Sequence, residues 1–344
     1  MENQTILVTG GLGYIGSHTV VKLIEQGFKV VVLDNLSNSS PKVVSRLNIL
    51  NSSPLEVFFE DLLNHDALEN IFEKYNFDAV IHLAGLKSVR ESFYQPLLYF
   101  QNNVSGTVSL LNQMCKSGVK KIVFSSSATV YGNPDRLPIC EDFPLRVSSP
   151  YGRTKLMCED FLRDLHFSDP SLSIAILRYF NPVGAHYSGL LGESPIGVPN
   201  NLMPFITQVA SRQRQNLEIF GDDYDTPDGT CIRDYLHVSD LADGHIAALK
   251  IFDTHRFFTV NLGTGRGISV KELINTFIQV NNIEIPYIIA QRREGDVASC
   301  YANVNLAKEI LNWEAKKSIQ DMCKDACRWQ LQNPLGYDSE ILPN

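Results

Sequence analysis

No CxxC pair occurs in this 344-residue sequence, and its cysteines are odd in number, seven, at 115, 140, 158, 231, 300, 323 and 327. That pattern argues against both a disulfide framework and a zinc site. Cys323 and Cys327 fall four apart on a helical pattern without histidines nearby, the spacing of packed residues. No run of lysine and arginine appears, and the formal net charge is −8. The chain therefore has no electrostatic footprint for nucleic acid. An anion would have to be held by local arginines and backbone amides. No apolar run approaches the roughly 20 residues that a bilayer crossing needs. The N-terminus runs into a strand pattern within five residues, with neither a basic n-region nor an apolar h-region. A reducing, cytoplasmic setting without membrane contact is the expectation. Repeats, linkers and low-complexity tracts are missing too.

What is present is the balance of a folded globular protein, 44% hydrophobic and 20% charged residues. The length suits two domains or one large one. The first half alternates short β-branched runs with helical patterns. The runs are TILVTG (5–10), KVVVLD (29–34), LEVFFED (55–61), DAVIHLAG (78–85), KIVFSSS (121–127) and SIAILRYF (173–180). Helical patterns lie between them at about 14–27, 41–51, 65–75, 91–117 and 151–167. Most of the runs are continuously apolar, as expected of parallel strands covered on both faces. The alternation predicts an α/β protein with a Rossmann-type doubly wound parallel sheet.

After Phe180 the rhythm breaks. Residues 181–201 are rich in Gly, Pro, Asn and Ser and read as a long loop, a feature that is often functional. Shorter elements follow: helices near 202–214, 239–251 and 269–280, and strands near 217–220, 257–262 and 285–290. Residues 1–180 are thus expected to form one domain and 181–344 a smaller α/β domain, with room for some of its elements to return to the first.

VTGGLGYIGSH (8–18) follows the first strand directly and opens a helix. Gly10, Gly13 and Gly16 form a variant of the dinucleotide fingerprint. Such glycines permit a tight turn, close approach to a pyrophosphate, and contact between helix and strand. A glycine triplet alone is a weak signal, but its place at a strand-to-helix junction is what the motif requires. Asp34 ends the second strand 18 residues after Gly16. A carboxylate there accepts from a ribose diol and repels a 2′-phosphate, and no arginine adjoins it, so NAD is favoured over NADP. Asp61, closing the third strand, suits either a contact to adenine or a strand-end cap. Ala84 and Gly85 end the fourth strand, where backbone would pass close to a cofactor.

SPYGRTK (149–155) sets Tyr151 and Lys155 four apart at a helix entrance, with Ser149 as cap and Pro150 in the first turn. By spacing alone this is an ordinary surface pair. Context changes the weight. The fifth strand ends in FSSSATVYG (124–132), which puts Ser127 at the same sheet edge as the glycine loop. A tyrosine titrates near pH ~10, so a basic role needs depression by nearby positive charge, from Lys155 and an oxidised nicotinamide. Ser127 would relay the proton, in general base catalysis coupled to hydride transfer.

These residues resemble the extended short-chain dehydrogenase/reductases, and within them the UDP-glucose 4-epimerase family. The resemblance runs through nearly the whole chain, in VTGGLGYIGSHT, AGLKSVRES, NNVSGT, FSSSATVYG, SPYGRTKLM, LRYFNPVGAH, PNNLMPF, DGTCIRDYLHV, NLGTG and RREGD. The YxxxK pair is common to the superfamily, whereas SSSATVYG, RYFNPVGAH and NNLMP are far more specific. The resemblance implies an isomerase whose bound NAD takes hydride from C4 of a UDP-hexose and returns it to the other face of a 4-keto sugar. Tyr151 is then the base, Ser127 its relay and Lys155 its electrostatic modulator and ribose ligand.

It further implies cofactor contacts from Tyr14, Ile15, Asn35, Leu62, Leu83, Lys87, Asn102, Ser125 and Phe180. Lys87 would also touch the substrate, with Asn181, Asn201 and Leu202. Phe220 would line the uracil, Arg233 and Arg293 would hold the diphosphate, and Asp296 would accept from the uridine ribose. Fork-shaped cations suit phosphate oxygens. Without the resemblance, Arg233 and Asp296 read as solvated charges. Cys300, four after the aspartate of RREGD, would border the pocket for the C2 substituent. A cysteine where some members carry tyrosine implies that N-acetylated UDP-hexoses fit as well. Tyr301 refolding into that gap is the alternative. A homodimer is also implied.

Two rivals stand against this reading. A sugar-nucleotide 4,6-dehydratase usually needs an Asp-Glu pair after a threonine following strand five, where this chain has Ser127-Ala128-Thr129. A non-catalytic NAD-sensing regulator should have lost its tyrosine or lysine. His82, His186 and His237 lack metal spacing and read as packing or hydrogen-bonding residues.

Overall fold

An apolar run without alternation has to be covered on both faces, and this chain solves that with a seven-stranded parallel sheet between two helical layers. The computed structural model describes residues 4–51, 54–293 and 295–339. Its strands β1 (Thr5–Thr9), β2 (Lys29–Leu33), β3 (Glu56–Phe58), β4 (Ala79–His82), β5 (Lys121–Ser127) and β6 (Ser173–Tyr179) come in chain order. The spatial order is Phe257–Leu262, β6, β5, β4, β1, β2, β3, with every pairing parallel. Side chains of successive residues point to opposite faces. Ile6 and Val8 therefore join one core layer and Leu7 the other.

The edge strand Phe257–Leu262 comes from beyond residue 181, pairing with β6 from Ile174 to Tyr179. The helix Val238–Lys250 packs beside the helix Tyr14–Glu25. Both elements of the second half thus complete the first. A third core, with Ile206, Ile219, Leu273, Phe277 and Cys323, lies under the remaining elements of that half.

Two local expectations change. The helical pattern 91–117 is broken into helices Val89–Tyr94 and Pro96–Tyr99, a π-helical turn Phe100–Ser105, and the helix Gly106–Lys116. Pro96 lacks the N–H a continuous helix would use and its ring clashes with the preceding turn. The stretch 181–201 is not all loop, since Asn181–Val183 pairs in parallel with Tyr235–His237.

The helix Pro150–Ser168 is pinned to the sheet by a buried ion pair. Glu159 accepts from Arg178 Nε at 2.9 Å and Nη2 at 2.7 Å, and from Ser126 Oγ at 2.5 Å. Arg178 also donates to Tyr131 Oη at 2.8 Å. Burial pushes the Glu159 carboxyl up, but Arg178, Ser126 and Arg163 outweigh it and hold it below its ordinary value. Glu159→Ala should cost about 3–5 kcal/mol, because it strands a buried guanidinium. Urea denaturation measures this, and a loss of under roughly 1 kcal/mol, the value of a surface pair, would contradict it.

Candidate active site

The order of the sheet reverses between β1 and β4, and a ligand crevice is expected beyond the carboxyl ends of strands at such a switch point. A cleft of ≈ 670 Å³ opens there. Gly10 turns the chain at φ +69°, and a Cβ on it would lie 2.7 Å from Ala84 N. A Cβ on Gly16 would lie 2.1 Å from Gly10 O. Neither position admits a side chain. Gly13 caps the helix Tyr14–Glu25 without a side-chain bond, and no acidic residue sits in the first turn. Its backbone amides are therefore free to meet an anion.

The Asp34 carboxylate is buried beside this loop. It accepts from Leu12 N (3.0 Å), Leu36 N (2.9 Å) and Ser39 Oγ (2.7 Å). Asn35, Ser37, Asn38 and Ser39 continue the cleft wall with no cation among them. Asp61 is a local cap that also lines the cleft. Its Oδ1 accepts from Leu63 N at 2.8 Å as a local cap, and its Oδ2 accepts from Asn35 Nδ2 at 2.7 Å on the cleft wall.

The cleft lining brings together most of the sequence-predicted residues. It takes in Gly10, Gly13, Tyr14, Ile15 and Gly16 with Asp34, Asn35, Asp61 and Leu62 at one end. Leu83, Ala84, Gly85, Lys87, Asn102 and Ser125 follow. Ser127, Tyr151, Lys155, Phe180, Asn181 and Asn201 complete it.

Pro150 opens the helix bearing Tyr151, and Ser149 Oγ accepts from Gly152 N at 3.1 Å. One turn on, Lys155 Nζ donates to Ser125 O at 2.8 Å and sits 5.1 Å from the Phe124 ring centre. Burial pulls the ammonium down to about 8, with Cys158 and Glu159 opposing. The Tyr151 phenol is pushed up to about 12 by burial, and Ser127 pulls it the other way. Lys155, held on the Ser125 carbonyl, does not offset that burial. The expected depression of the tyrosine is thus absent from the protein alone, because desolvation outweighs the one polar partner.

Six predicted residues stand outside the cleft lining. Arg293 lies over the Phe220 ring at 5.4 Å and bonds Asp296 through Nε at 3.1 Å. Asp296 Oδ1 is 3.7 Å from Arg233 Nη2. Cys300 pairs in register with Arg233. It also packs against the apolar cluster that contains Phe180, which borders the cleft. Leu202, first in the helix Leu202–Ala210, packs on the third core. Glu294 of the RREGD motif lies outside the described residues.

Sequence reasoning missed three residues. Asn103 Oδ1 accepts from Leu86 N at 2.8 Å and its Nδ2 donates to Thr154 Oγ1 at 3.1 Å, tying the strand-four loop to the Tyr151 helix. Its neighbour Asn102 and the NNVSGT motif were the available signal. Tyr179 lines the cleft and bonds His245 Nε2 from behind. Glu193 enters the cleft from a stretch whose composition said only loop. Of the histidines, His82 sits between Thr9 Oγ1 (2.7 Å) and Thr107 Oγ1 (2.9 Å), and His237 faces Asp325 at 3.2 Å. His186 bonds Ser188 Oγ at 2.7 Å.

A glycine loop at the switch point, with Ser127 on an adjoining strand end and Tyr151 and Lys155 at the entrance of the next helix, defines the short-chain dehydrogenase/reductase class. A family model described as GDP-mannose 4,6 dehydratase matches residues 7–326. The UDP-glucose 4-epimerase of Bacillus subtilis (strain 168) is 53% identical over 337 residues, covering 98% of this chain and 99% of its own. That of Dictyostelium discoideum is 54% identical over 337 residues, covering 97% and 98%. The crystal structure of UDP-glucose 4-epimerase from Bifidobacterium longum, in complex with NAD+ and UDP, superposes with a TM-score of 0.94 at 48% identity. It covers 97% of this chain and 100% of that one. The chain belongs to the UDP-glucose 4-epimerase family.

Proposed function

We propose that this protein is an NAD-dependent isomerase that interconverts UDP-galactose and UDP-glucose at C4 of the hexose. The observation that carries the reading is the meeting of Ser127, Tyr151 and Lys155 in the cleft that the glycine loop opens. Membership of the family and the NAD+ and UDP in the Bifidobacterium structure support it.

The residues present fit a dinucleotide. Gly10 and Gly16 let backbone alone line the helix entrance, and the Asp34 carboxylate beside them on the cleft wall supports its reading as the acceptor for a ribose diol. The nicotinamide, when bound, supplies reversible hydride transfer and a positive charge. Tyr151 takes the proton of the 4-hydroxyl through Ser127 and later returns it. Lys155, fixed on Ser125 O, orients the cofactor ribose. Inversion requires the sugar to turn within the cleft between the two proton transfers. Arg233 and Arg293 hold the diphosphate, Phe220 the uracil, and Asp296 the uridine ribose. Cys300 leaves space for a C2 acetamide, which extends the reaction to UDP-GalNAc and UDP-GlcNAc. Elimination of the 4,6-dehydratase type is disfavoured because Ser127-Ala128-Thr129 offers no carboxylate.

Incubation of the purified protein with UDP-galactose, followed by identification of the product at C4, tests the assignment. An unchanged substrate in NAD-loaded protein would favour a sensor over an enzyme. Because the cofactor is regenerated each turnover, the protein should copurify with NAD(H), and Asp34→Ala should weaken its retention. Release of NADP alone on denaturation would overturn the ribose assignment.

The same reading includes a homodimer in the cytoplasm. Phe93, Tyr94, Leu97 and Leu98 are exposed on consecutive short helices, an apolar patch that a second copy would cover. A monomeric mass by light scattering would refute it. All seven cysteines are free, and among the described residues no helix is long and apolar enough to cross a membrane.

A further inference from the structure

A carboxylate stands inside the cleft where an anionic ligand is expected. The Glu193 side chain is only 10% exposed, and Lys87 Nζ donates to its Oε1 at 3.0 Å. Asn201 Nδ2 donates to the same oxygen at 2.8 Å. Both donors are among the residues assigned above to the nucleotide sugar. The Tyr14 phenol at the glycine loop is raised by burial and then by this same carboxylate, which places the charge near the loop as well.

The backbone under Glu193 is fixed. Trp329 Nε1 donates to Glu193 O at 3.1 Å, and the Tyr337 hydroxyl bonds both Gly192 N (3.3 Å) and Gly192 O (3.1 Å). A Cβ on Gly192 would lie 2.3 Å from the Trp329 ring. The chain cannot carry the carboxylate away, so only the side chain can turn aside. A carboxylate held on Lys87 and Asn201 competes with an incoming anionic ligand for the same N–H donors.

We propose that Glu193 is an internal counter-ion that holds Lys87 and Asn201 while no nucleotide sugar is bound, and that the ligand's diphosphate displaces it from Lys87. The proposal rests on the reading of the cleft as a UDP-sugar site. The carboxylate weakens binding of substrate and product alike, which favours release of product over its retention.

The test is calorimetric titration of the NAD-loaded protein with UDP and, separately, with uridine. Glu193→Gln keeps the shape and the bond from Asn201 while removing the charge. It should tighten UDP binding roughly two- to tenfold, leave uridine binding unchanged, and lose its advantage as salt is raised. In a Lys87→Met background the same substitution should give no gain. Glu193→Ser repeats the measurement if the glutamine protein does not fold. Unchanged or weaker UDP binding by the charge-free variants would overturn the proposal, as would an equal gain for uridine, the mark of a merely structural tie. Those outcomes leave the functional reading standing, whereas wild-type protein that binds no UDP would overturn both.

Discussion

Tyr151→Phe should lower turnover of UDP-galactose by about 10²–10⁴-fold, the usual contribution of a positioned acid–base group. The ring volume is preserved, so the fold and UDP binding should stay intact. In the protein alone, burial holds the phenol at about 12, so it is protonated at neutral pH. A base must be ionised, and its rate rises with pH until its own pKa is passed. The positive charge of an oxidised nicotinamide is the term missing from the protein by itself, and it acts in the direction that brings the phenol down. The ascending limb of the kcat/KM profile should therefore belong to Tyr151 and vanish in Tyr151→Phe. Ser127→Ala should also slow the reaction, by cutting the relay, while keeping that limb. Near-normal turnover in Tyr151→Phe would end the proposed mechanism.

The second large effect is one of selectivity. Wild-type protein should convert UDP-GalNAc as well as UDP-galactose, and Cys300→Tyr should slow only the N-acetyl reaction. Cys300 is a small, half-buried residue whose thiol burial pushes up to about 11, so it is uncharged at neutral pH. Its neighbour does not fill the space in its place. Consecutive residues of an extended chain point to opposite sides, and Tyr301 lies over Gly267, with Cδ1 2.9 Å from where a Cβ would stand. A tyrosine at 300 would overpack the space proposed for the acetamide, a cost of about 1–3 kcal/mol. That corresponds to roughly 5- to 150-fold in rate, with UDP-galactose conversion little changed. Wild-type protein inert toward UDP-GalNAc, under conditions where it converts UDP-galactose, would refute the pocket argument and leave the epimerase assignment in place.

The parts of the site that were legible in the sequence are those fixed by local chemistry. Gly10 and Gly16 announce a backbone too tight for side chains, and Gly13 an uncapped helix entrance. Ser149 and Pro150 announce a helix entrance, and the structure has the cap bond to Gly152 N. Asp34 follows from its distance along one βα unit. The apolar runs gave the parallel sheet, since covering both faces leaves a strand no polar side. None of these inferences needs to know which distant segments meet.

Apart from the shared sheet edge of Ser127 and the glycine loop, the amino-acid order was silent on which distant segments meet. Nothing in residues 257–262 says that they extend the first sheet beside β6, because strand partners are chosen by the whole core and not by the strand. The pairing of Arg178 with Glu159 and the bond from Tyr179 to His245 were equally hidden. So was the reach of Glu193 to Lys87, across 106 residues. The titration of Tyr151 shows the same division. Spacing puts Lys155 one turn away, but three-dimensional packing gives that ammonium to Ser125 O and buries the phenol, and desolvation then sets the direction of the shift. Short-range steric and hydrogen-bonding demands are written residue by residue, whereas burial and long-range charge depend on what the fold brings alongside.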